Sequence, residues 1–306
     1  MNTSAKVSVQ IPAYNQQEFI STAIESALMQ DYANAEIIVA DDCSTDDTAA
    51  RVKKFADNAA LTYYRNDHNI GRVANYHKAL YSYCTGEWVV NLDGDDQFTD
   101  PHFISYAMGL ITQQANEEIV IFQANHDLKK IKKLFPNHQS ISDDAVMIDG
   151  REYFLQYYKV RRFRHCATIF KRAEAVPLNF YSFDCLFTDF NSMSKLFLKG
   201  KMIICGRTVA SWRLHDDNQS SGLSEQNIQK EFDSIHDIAV FAKPFFTEAE
   251  ISQWKKKMKR YMVETFIELL ISRSRQASSL RYIIRQFHWD MIYFKQVIKY
   301  FIRKQT

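Results

Sequence analysis

Short apolar runs alternate with longer amphipathic stretches over the first hundred or so residues of this 306-residue chain. The runs are typical of buried strands, and the stretches between them carry apolar residues at helical spacing. This alternation indicates an α/β fold whose central sheet is mostly parallel, with helices on both faces. The predicted strands are Val7–Pro12, Glu36–Ala40, Leu61–Arg65 and Glu87–Leu92, and the helices are Glu18–Gln30, Ser44–Asn58 (capped by Ser44 or Thr45), Gly71–Cys84 and Pro101–Gln114.

The pattern becomes less regular after Gln114 and purely helical near the C-terminus. We predict strands over Glu118–Asn125, Cys166–Phe170 and Lys201–Arg213, helices over Glu152–Lys159 and Thr188–Lys199, and three final helices over Glu225–Phe241, Glu248–Ser274 and Leu280–Arg303. The change in pattern predicts two domains, an α/β domain over 1–222 and a helical C-terminal extension over 223–306.

Composition places the chain among soluble globular proteins, with 46% hydrophobic and 24% charged residues. The five cysteines are scattered, odd in number and without CxxC spacing, which predicts reduced, mostly buried thiols in a cytoplasmic protein. We find no apolar run long enough to span a bilayer.

The net charge of +2 hides an uneven distribution. Residues 250–306 hold 13 Lys and Arg against 4 Asp and Glu, a net charge of +9, so the rest of the chain carries −7. The last predicted helix is basic and amphipathic, which is compatible with an anionic membrane surface. Packing on the α/β domain, or on a second copy in a homodimer, explains the same pattern. A nucleic-acid partner has only this tail in its favour and is not expected.

Polar loops follow each of the first four predicted strands. They are Ala13–Asn15, Asp41–Asp42, Asn66–Gly71 and Asp93–Asp96. In parallel sheets ligands bind beyond the carboxyl ends of the strands, so these loops are expected to meet at one crevice. The closely spaced carboxylates of Asp93–Asp96 repel one another unless a cation lies among them. Mg²⁺ and Mn²⁺ prefer such oxygen ligands and often bridge to phosphates, so a metal–diphosphate site is predicted here.

Order and spacing of four segments carry a resemblance to a known family. The segments are Val9–Asn15, Ile38–Asp46, Asn69–Gly71 with Asn75, and Leu92–Asp96. Over Lys6–Asp100, and more weakly to Ser221, the chain resembles a family 2 glycosyltransferase of the GT-A fold. The resemblance implies inverting sugar transfer from a nucleotide-diphosphate sugar, UDP- or dTDP-linked, with Mg²⁺ or Mn²⁺. The implied acceptor is a hydroxyl of a glycan or of a lipid-linked glycan.

The resemblance also implies roles for individual residues. Asp42 would contact the imide N–H of the base, Asp93 the ribose, and Asp95 the metal ion. The remaining donor-binding residues would be Pro12, Tyr14, Asn15, Asn69, Arg72 and Arg213.

The catalytic base of the family lies in an acidic pair at the start of a helix that follows the central sheet. Asp189 occupies that position here, although Thr188 replaces the first acid of the pair. Asp184 is the second candidate. Further along, Arg213 and His215 resemble the family's Arg-x-His. His215 would complete the metal shell or contact the diphosphate.

Two other activities are alternatives to sugar transfer. A nucleotidyltransferase would need a Gly-rich loop after the first strand, where this chain has Pro12 to Asn15. A non-catalytic nucleotide-sugar-binding module, or a degenerate transferase, stays open. The basic run Arg161–His165 is interpreted as a surface patch rather than an acceptor site. The expected location is cytoplasmic, or peripheral on the inner face of the cytoplasmic membrane.

Overall fold

The computed structural model describes residues 4–160, 164–213 and 224–272. His215 and the predicted helix over 280–303 lie outside these residues. The strands are β1 Val7–Ala13, β2 Ala35–Asp41, β3 Leu61–Arg65, β4 Trp88–Asn91, β5 Gln97–Phe98, β6 Ile119–Gln123, β7 Gln139–Ser142, β8 Ala145–Asp149, β9 Thr168–Lys171, β10 Lys201–Cys205 and β11 Ala210–Ser211. The α-helices are α1 Ile20–Leu28, α2 Thr48–Lys53, α3 Arg72–Lys78, α4 Phe103–Gln113, α5 Leu128–Leu134, α6 Gly150–Val160, α7 Arg172–Ala175, α8 Thr188–Phe197, α9 Glu225–Ala242 and α10 Glu248–Ser272.

Within the described residues, nine strands form one mixed sheet in the order β3-β2-β1-β4-β9-β6-β10-β8-β7. Strands β1 to β4 pair in parallel, as the strand–helix alternation predicts. Strand β9 runs antiparallel between β4 and β6. The short strands β5 and β11 form a separate antiparallel pair. The α/β class and the C-terminal helices are therefore confirmed.

Helix α2 is shorter than predicted, and neither Ser44 nor Thr45 caps it. The Ser44 hydroxyl donates instead to Asp41 Oδ1 at 2.5 Å. The helix begins only at Thr48, after Asp47, whose side chain makes no capping hydrogen bond, and the carboxylate of Asp46 accepts from the Thr48 N–H at 2.9 Å. Hydrogen bonds from Ser and Asp side chains compete with the backbone hydrogen bonds of a helix. Here residues 44–47 form a loop instead of the first turn of a longer helix.

Central strands such as β1 and β6 consist of buried residues, most of them apolar, because both faces of the sheet are covered there. Val7, Val9 and Ile11 of β1 are fully buried, and so are Ile121 and Phe122 of β6. Helix α1 packs against β1, β2 and α2. Apolar burial at this scale, at about 25 cal/mol per Å², is the main source of stability for a sheet of this kind.

The chain divides into two compact units. The first contains Met1–Phe183 with Ser192–Arg213, and the second contains Asp184–Asn191 with Leu214–Thr306. In the second unit α9 and α10 pack together, with Trp254 and Phe266 fully buried. The Glu250 carboxylate accepts from the Thr247 N–H at 2.9 Å, which forms a capping box at the start of α10. The division predicted at residues 222 and 223 stays a prediction.

All five cysteines are free thiols, and four of them are buried, which confirms the prediction for the thiols. In the part of the chain that the structure describes, no helix has both the length and the apolar content needed to cross a bilayer.

Replacing Gly150 by alanine is expected to destabilise the fold. A Cβ atom at this position would lie 1.9 Å from the carbonyl oxygen of Phe197 and 2.4 Å from that of Gly200. Because both neighbours are backbone atoms, relief requires a backbone shift, and we expect a loss of about 2 kcal/mol or more in the free energy of unfolding. Urea denaturation of Gly150→Ala measures this loss.

Gly109→Ala is the matched control. Gly109 is exposed in α4, and a Cβ atom there would meet nothing within 4 Å. Alanine should therefore stabilise this helix, by about 0.5–1 kcal/mol. Equal stability of Gly150→Ala and the wild-type protein would contradict the close approach at Gly150.

Candidate functional site

The carboxyl end of β1 joins the loops that follow its two neighbouring strands. The backbone N–H of Asp42, after β2, donates to the carbonyl of Ala13 at 2.8 Å. The N–H of Gly94, after β4, donates to the carbonyl of Pro12 at 3.2 Å. In the same way the N–H of Asn66, after β3, donates to the backbone carbonyl of Asp41 at 2.8 Å. The structure thus brings the predicted polar loops to one edge of the sheet.

Asp42 ties the loop after β3 to this edge. Its carboxylate is buried and accepts from Asn66 Nδ2 at 2.9 Å, from the Ile70 N–H at 2.8 Å and from the Gly71 N–H at 2.8 Å. Asn69, in the same loop, is exposed, and its side-chain oxygen accepts from Gly71 at 3.0 Å. The carboxylate has a structural role, and its contact with a nucleobase stays a prediction.

The loop after β1 is fastened to the loop after β2. The Asn15 side-chain oxygen accepts from the Thr45 N–H at 2.8 Å, and the Asn15 N–H donates to Ser44 Oγ at 3.0 Å. Asn15 adopts a positive φ of 53°, which asparagine tolerates better than most residues. Tyr14 beside it is 39% exposed, whereas Pro12 is buried in β1. Tyr14 therefore offers an aromatic face on which a flat ring could stack.

The acidic loop after β4 holds three carboxylates in different environments. Asp93 and Asp95 are half-buried, whereas Asp96 is almost fully buried. Asp93 Oδ1 accepts from the Tyr76 hydroxyl at 2.6 Å and from Asn91 Nδ2 at 2.8 Å. Burial, followed by the negative charges of Asp93 and Asp95, raises the pKa of Asp96 to about 8. These carboxylates therefore lie close enough to interact, as the sequence predicts.

Two of the predicted cationic residues flank the acidic loop. Pairing of β11 with β5 brings the Arg213 N–H to Asp96 Oδ1 at 3.0 Å, and its guanidinium Nη2 donates to Gln97 Oε1 at 3.0 Å. The Arg72 guanidinium lies 5.5 Å from the centre of the Tyr76 ring, and Tyr76 itself contacts Asp93. Such cations can offset the charge of a diphosphate.

A polar network behind Asp93 was not found by sequence analysis. Asn91 accepts from Gln10 Nε2 at 2.8 Å, and its Nδ2 lies 3.2 Å from His165 Nδ1. His165 Nε2 lies 2.6 Å from the Tyr181 hydroxyl. His165 is half-buried and belongs to this network, while residues 161–163 of the predicted surface patch lie outside the described residues, so the patch stays a prediction. The partners of His165 are 74 and 16 residues away along the chain, so no local motif reveals them.

Carboxylate oxygens of the acidic loop fit a hard divalent cation. Among the described residues, no three His, Cys, Asp or Glu side chains form a ready-made metal cage. Mg²⁺ commonly binds through one or two carboxylates together with substrate phosphates, so Asp93 and Asp95 suffice. A buried acceptor, Gln16 Oε1, has no hydrogen-bond partner among the described residues, and the Gln16 side chain lies against Gly94. An orphaned oxygen beside this loop fits a site that a bound group completes.

Asp189 lies in the second compact unit, in the first turn of α8, and is half-buried. Asp184, the second candidate for the base, is mostly exposed and forms an ion pair with Lys230 at 2.6 Å. A role for Asp189 stays a prediction, and so does the role of His215, which lies outside the described residues.

Comparison with known proteins identifies the family of the chain. The family model described as "Glycosyl transferase family 2" matches residues 8–187. The putative colanic acid biosynthesis glycosyl transferase WcaA of Escherichia coli is 32% identical over 116 residues, 37% of this chain and 41% of the relative. The GalNAc(5)-diNAcBac-PP-undecaprenol beta-1,3-glucosyltransferase of Campylobacter jejuni is 36% identical over 114 residues, 37% of this chain and 35% of the relative. The matches thus span less than half the length of these relatives.

Solved structures share the fold at low sequence identity. TarS 1-349 of S. aureus in complex with UDP-GlcNAc aligns with a TM-score of 0.67 and 18% identity, covering 92% of this chain and 79% of that one. Mannosyltransferase PcManGT from Pyrobaculum calidifontis, in complex with GDP-Man and Mn²⁺, aligns with a TM-score of 0.56 and 16% identity, covering 99% and 86%. The GT-A fold is therefore confirmed. Since the family model matches more than half of the 306 residues, the chain belongs to glycosyl transferase family 2.

Proposed function

We propose that this protein transfers a sugar, with inversion, from a nucleoside diphosphate sugar to a hydroxyl of a glycan or lipid-linked acceptor. One observation carries the proposal. Consecutive carbonyls at the end of β1, those of Pro12 and Ala13, bind the N–H groups of Gly94 and Asp42. Both acidic segments of the family pattern thus lie at the edge of the sheet where ligands of α/β folds bind.

The donor is proposed to be UDP-linked, with dTDP as the alternative. Two similarities support UDP: the TarS structure holds UDP-GlcNAc, and a relative that is 38% identical over 90 residues is named a UDP-Glc-dependent glucosyltransferase. Tyr14 would stack on the base, Asp42 would accept its imide N–H, and Asp93 would contact the ribose. Asn15, Asn69, Arg72 and Arg213 would line the path of the ribose and diphosphate.

Asp95 is proposed to hold Mg²⁺ or Mn²⁺, with Asp93 beside it. When bound, the cation would neutralise the diphosphate charge and act as a Lewis acid at the leaving group. Arg213 would add positive charge on the same side, because its backbone is held at Asp96. His215 remains a candidate ligand.

Asp189 is proposed as the general base. Its carboxylate would take the proton of the acceptor hydroxyl while the acceptor oxygen forms a bond to the anomeric carbon. The bond between that carbon and the diphosphate oxygen breaks, and its electron pair leaves with the nucleoside diphosphate. A single displacement of this kind inverts the anomeric configuration.

A lipid-linked acceptor would place the protein at the inner face of the cytoplasmic membrane. Two relatives are named as transferases that act on undecaprenol-linked substrates. Helix α10 carries Lys255, Lys256, Lys257 and Lys259 in close succession, and such lysines are attracted to anionic lipids. Lys259 differs from the other three lysines, because burial and the neighbouring Lys255 lower its pKa.

A screen of UDP, UDP-glucose and UDP-N-acetylglucosamine, each with and without Mn²⁺, tests the function. We expect UDP binding that strengthens with Mn²⁺ and a release of UDP from the matching sugar. Binding without any release, even with polyprenyl-diphosphate-linked sugars present, would favour the non-catalytic module instead.

Asp95→Ala should remove the metal-dependent part of UDP affinity, because Asp95 is the proposed ligand. A lost charge-assisted contact of this kind corresponds to about tenfold or more in Kd. Isothermal titration calorimetry with and without Mn²⁺ measures it. Asp57→Ala, at an exposed position outside the site, is the control. A full response to Mn²⁺ in Asp95→Ala would refute the metal assignment.

Tyr76→Phe should weaken UDP binding without disturbing the fold. It removes the hydroxyl that donates to Asp93 at 2.6 Å, while the Asn91 contact to Asp93 remains. The loss of one buried hydrogen bond should raise the Kd for UDP about three- to tenfold. Tyr81→Phe is the matched control, because the Tyr81 hydroxyl donates to the Val176 carbonyl instead. Equal affinities in the two variants would argue against a role for Asp93 in binding.

Asp189→Asn should lower kcat about a hundredfold or more, since the amide cannot take the acceptor proton. The Kd for UDP should stay unchanged, because the amide keeps the shape of the side chain. Steady-state kinetics beside Asp184→Asn distinguish the two candidate bases. If Asp184→Asn is the variant that loses turnover, the base is Asp184.

A further inference from the structure

Helix α9 binds the segment that carries Asp189. Lys230 forms the ion pair with Asp184, and Glu231 Oε1 accepts from the Phe187 N–H at 2.9 Å. Asn191 Nδ2 donates to Ser234 Oγ at 3.0 Å and to Asp237 Oδ2 at 3.1 Å. Glu231, Ser234 and Asp237 are spaced three apart, so they lie on one face of the helix, with Lys230 beside Glu231. All these contacts lie within the second compact unit.

Glu231 is the most unusual of these residues. It is 0% exposed, and its Oε2 atom has no hydrogen-bond partner among the described residues. Burial raises the pKa of Glu231 to about 7, and the nearby charge of Asp189 also raises it. The Cys185 thiol interacts with the same carboxyl. Whatever its protonation state, this group has lost water on all sides and has recovered only part of its hydrogen bonds.

Stability alone does not explain a carboxyl in this place. A buried polar group with an unmatched oxygen costs free energy, and an apolar side chain of similar size often serves the fold equally well. What Glu231 supplies is an acceptor for a backbone N–H group at the N-terminus of α8, where such groups lack partners within the helix. Phe187 directly precedes the helix, and Asp189 is its second residue. The Leu186 N–H also interacts with the Glu231 carboxyl.

We propose that Glu231 is a positioning residue, which fixes the first turn of α8 and thereby the orientation of the Asp189 carboxylate. The proposal rests on the proposed function, in which Asp189 takes the acceptor proton. Glu231 acts through the backbone and exchanges no proton in the reaction. Through Glu231, helix α9 has a role in catalysis that is separate from binding a membrane or a partner protein.

The test uses two substitutions of Glu231. Glu231→Gln keeps an oxygen that accepts from Phe187, whereas Glu231→Met fills a similar volume and cannot accept. Asp233→Asn is the control, because Asp233 is an exposed carboxylate on the same helix that accepts from Gln229 Nε2 at 2.9 Å. UDP release from UDP-glucose and UDP-N-acetylglucosamine with Mn²⁺, with water as the acceptor, gives kcat and KM.

Glu231→Met should lower kcat about ten- to a hundredfold, the size of effect that a small displacement of a catalytic group produces. Its KM for the donor should change by less than about twofold, because a step after donor binding is affected. Glu231→Gln should restore kcat to within about threefold of wild type, since its amide oxygen still accepts from Phe187. An unchanged kcat in Glu231→Met would overturn the proposal, and so would equal losses in both variants. A drop in melting temperature for Glu231→Met that parallels its lost activity would also overturn it, as a purely structural role predicts.

Hydrogen exchange separates this proposal from the proposed function. In Glu231→Met the amides of residues 186–191 should exchange faster than in wild type, while those of Glu231→Gln and Asp233→Asn should not. Unchanged exchange would overturn the positioning role even if the enzyme is active. Faster exchange confined to this segment, in a protein that turns over no donor, would support the positioning contact while the proposed transfer fails.

Discussion

Two carbonyl groups at the end of β1 hold the candidate site together. Neighbouring carbonyls of a strand point to opposite sides, and β1 lies between β2 and β4 in the sheet. The Ala13 carbonyl therefore reaches the loop after β2, and the Pro12 carbonyl reaches the loop after β4. A strand at the edge of a sheet could fasten only one such loop. The central position of β1 is thus the condition for bringing Asp42 and the acidic loop to one place.

Buried carboxylates add further hydrogen bonds to those that the backbone makes between the loops. Successive side chains of a strand point to opposite faces, so Asp41 and Asp42 serve different partners. Asp41 accepts from Ser44 and from the Tyr63 hydroxyl, whereas Asp42 accepts from the loop that ends at Gly71. Hydrogen bonds from several N–H groups offset the cost of burying such charges. A carboxylate fixed in this way is already oriented before a ligand arrives, which lowers the entropic cost of binding.

Much of this arrangement could be predicted from the sequence, and the reasons for the remainder are physical. Strand β3 begins and ends where predicted, at Leu61 and Arg65, although only Leu61 of its five residues is buried. The length of α2 was overestimated because the Ser44 hydroxyl donates to Asp41 and the Asp46 carboxylate accepts from the Gln17 N–H, partners that propensity does not reveal. The antiparallel direction of β9 and the network from Asn91 to Tyr181 depend on partners distant in the chain. Periodicity identifies elements, but it does not say which distant side chains meet.

Two buried oxygens without partners among the described residues, Gln16 Oε1 and Glu231 Oε2, have different meanings. The Gln16 side chain lies against Gly94, at the edge where a ligand is proposed to bind, so a bound donor group could supply the missing hydrogen bond. Glu231 lies among α9 and the segment before α8, where its other oxygen is already bound by the backbone. Its unmatched oxygen is the cost of placing a strong acceptor beside a helix N-terminus. A fold selected for stability alone would fill that position with an apolar side chain, so the carboxyl is better explained by the residue whose orientation it helps to fix.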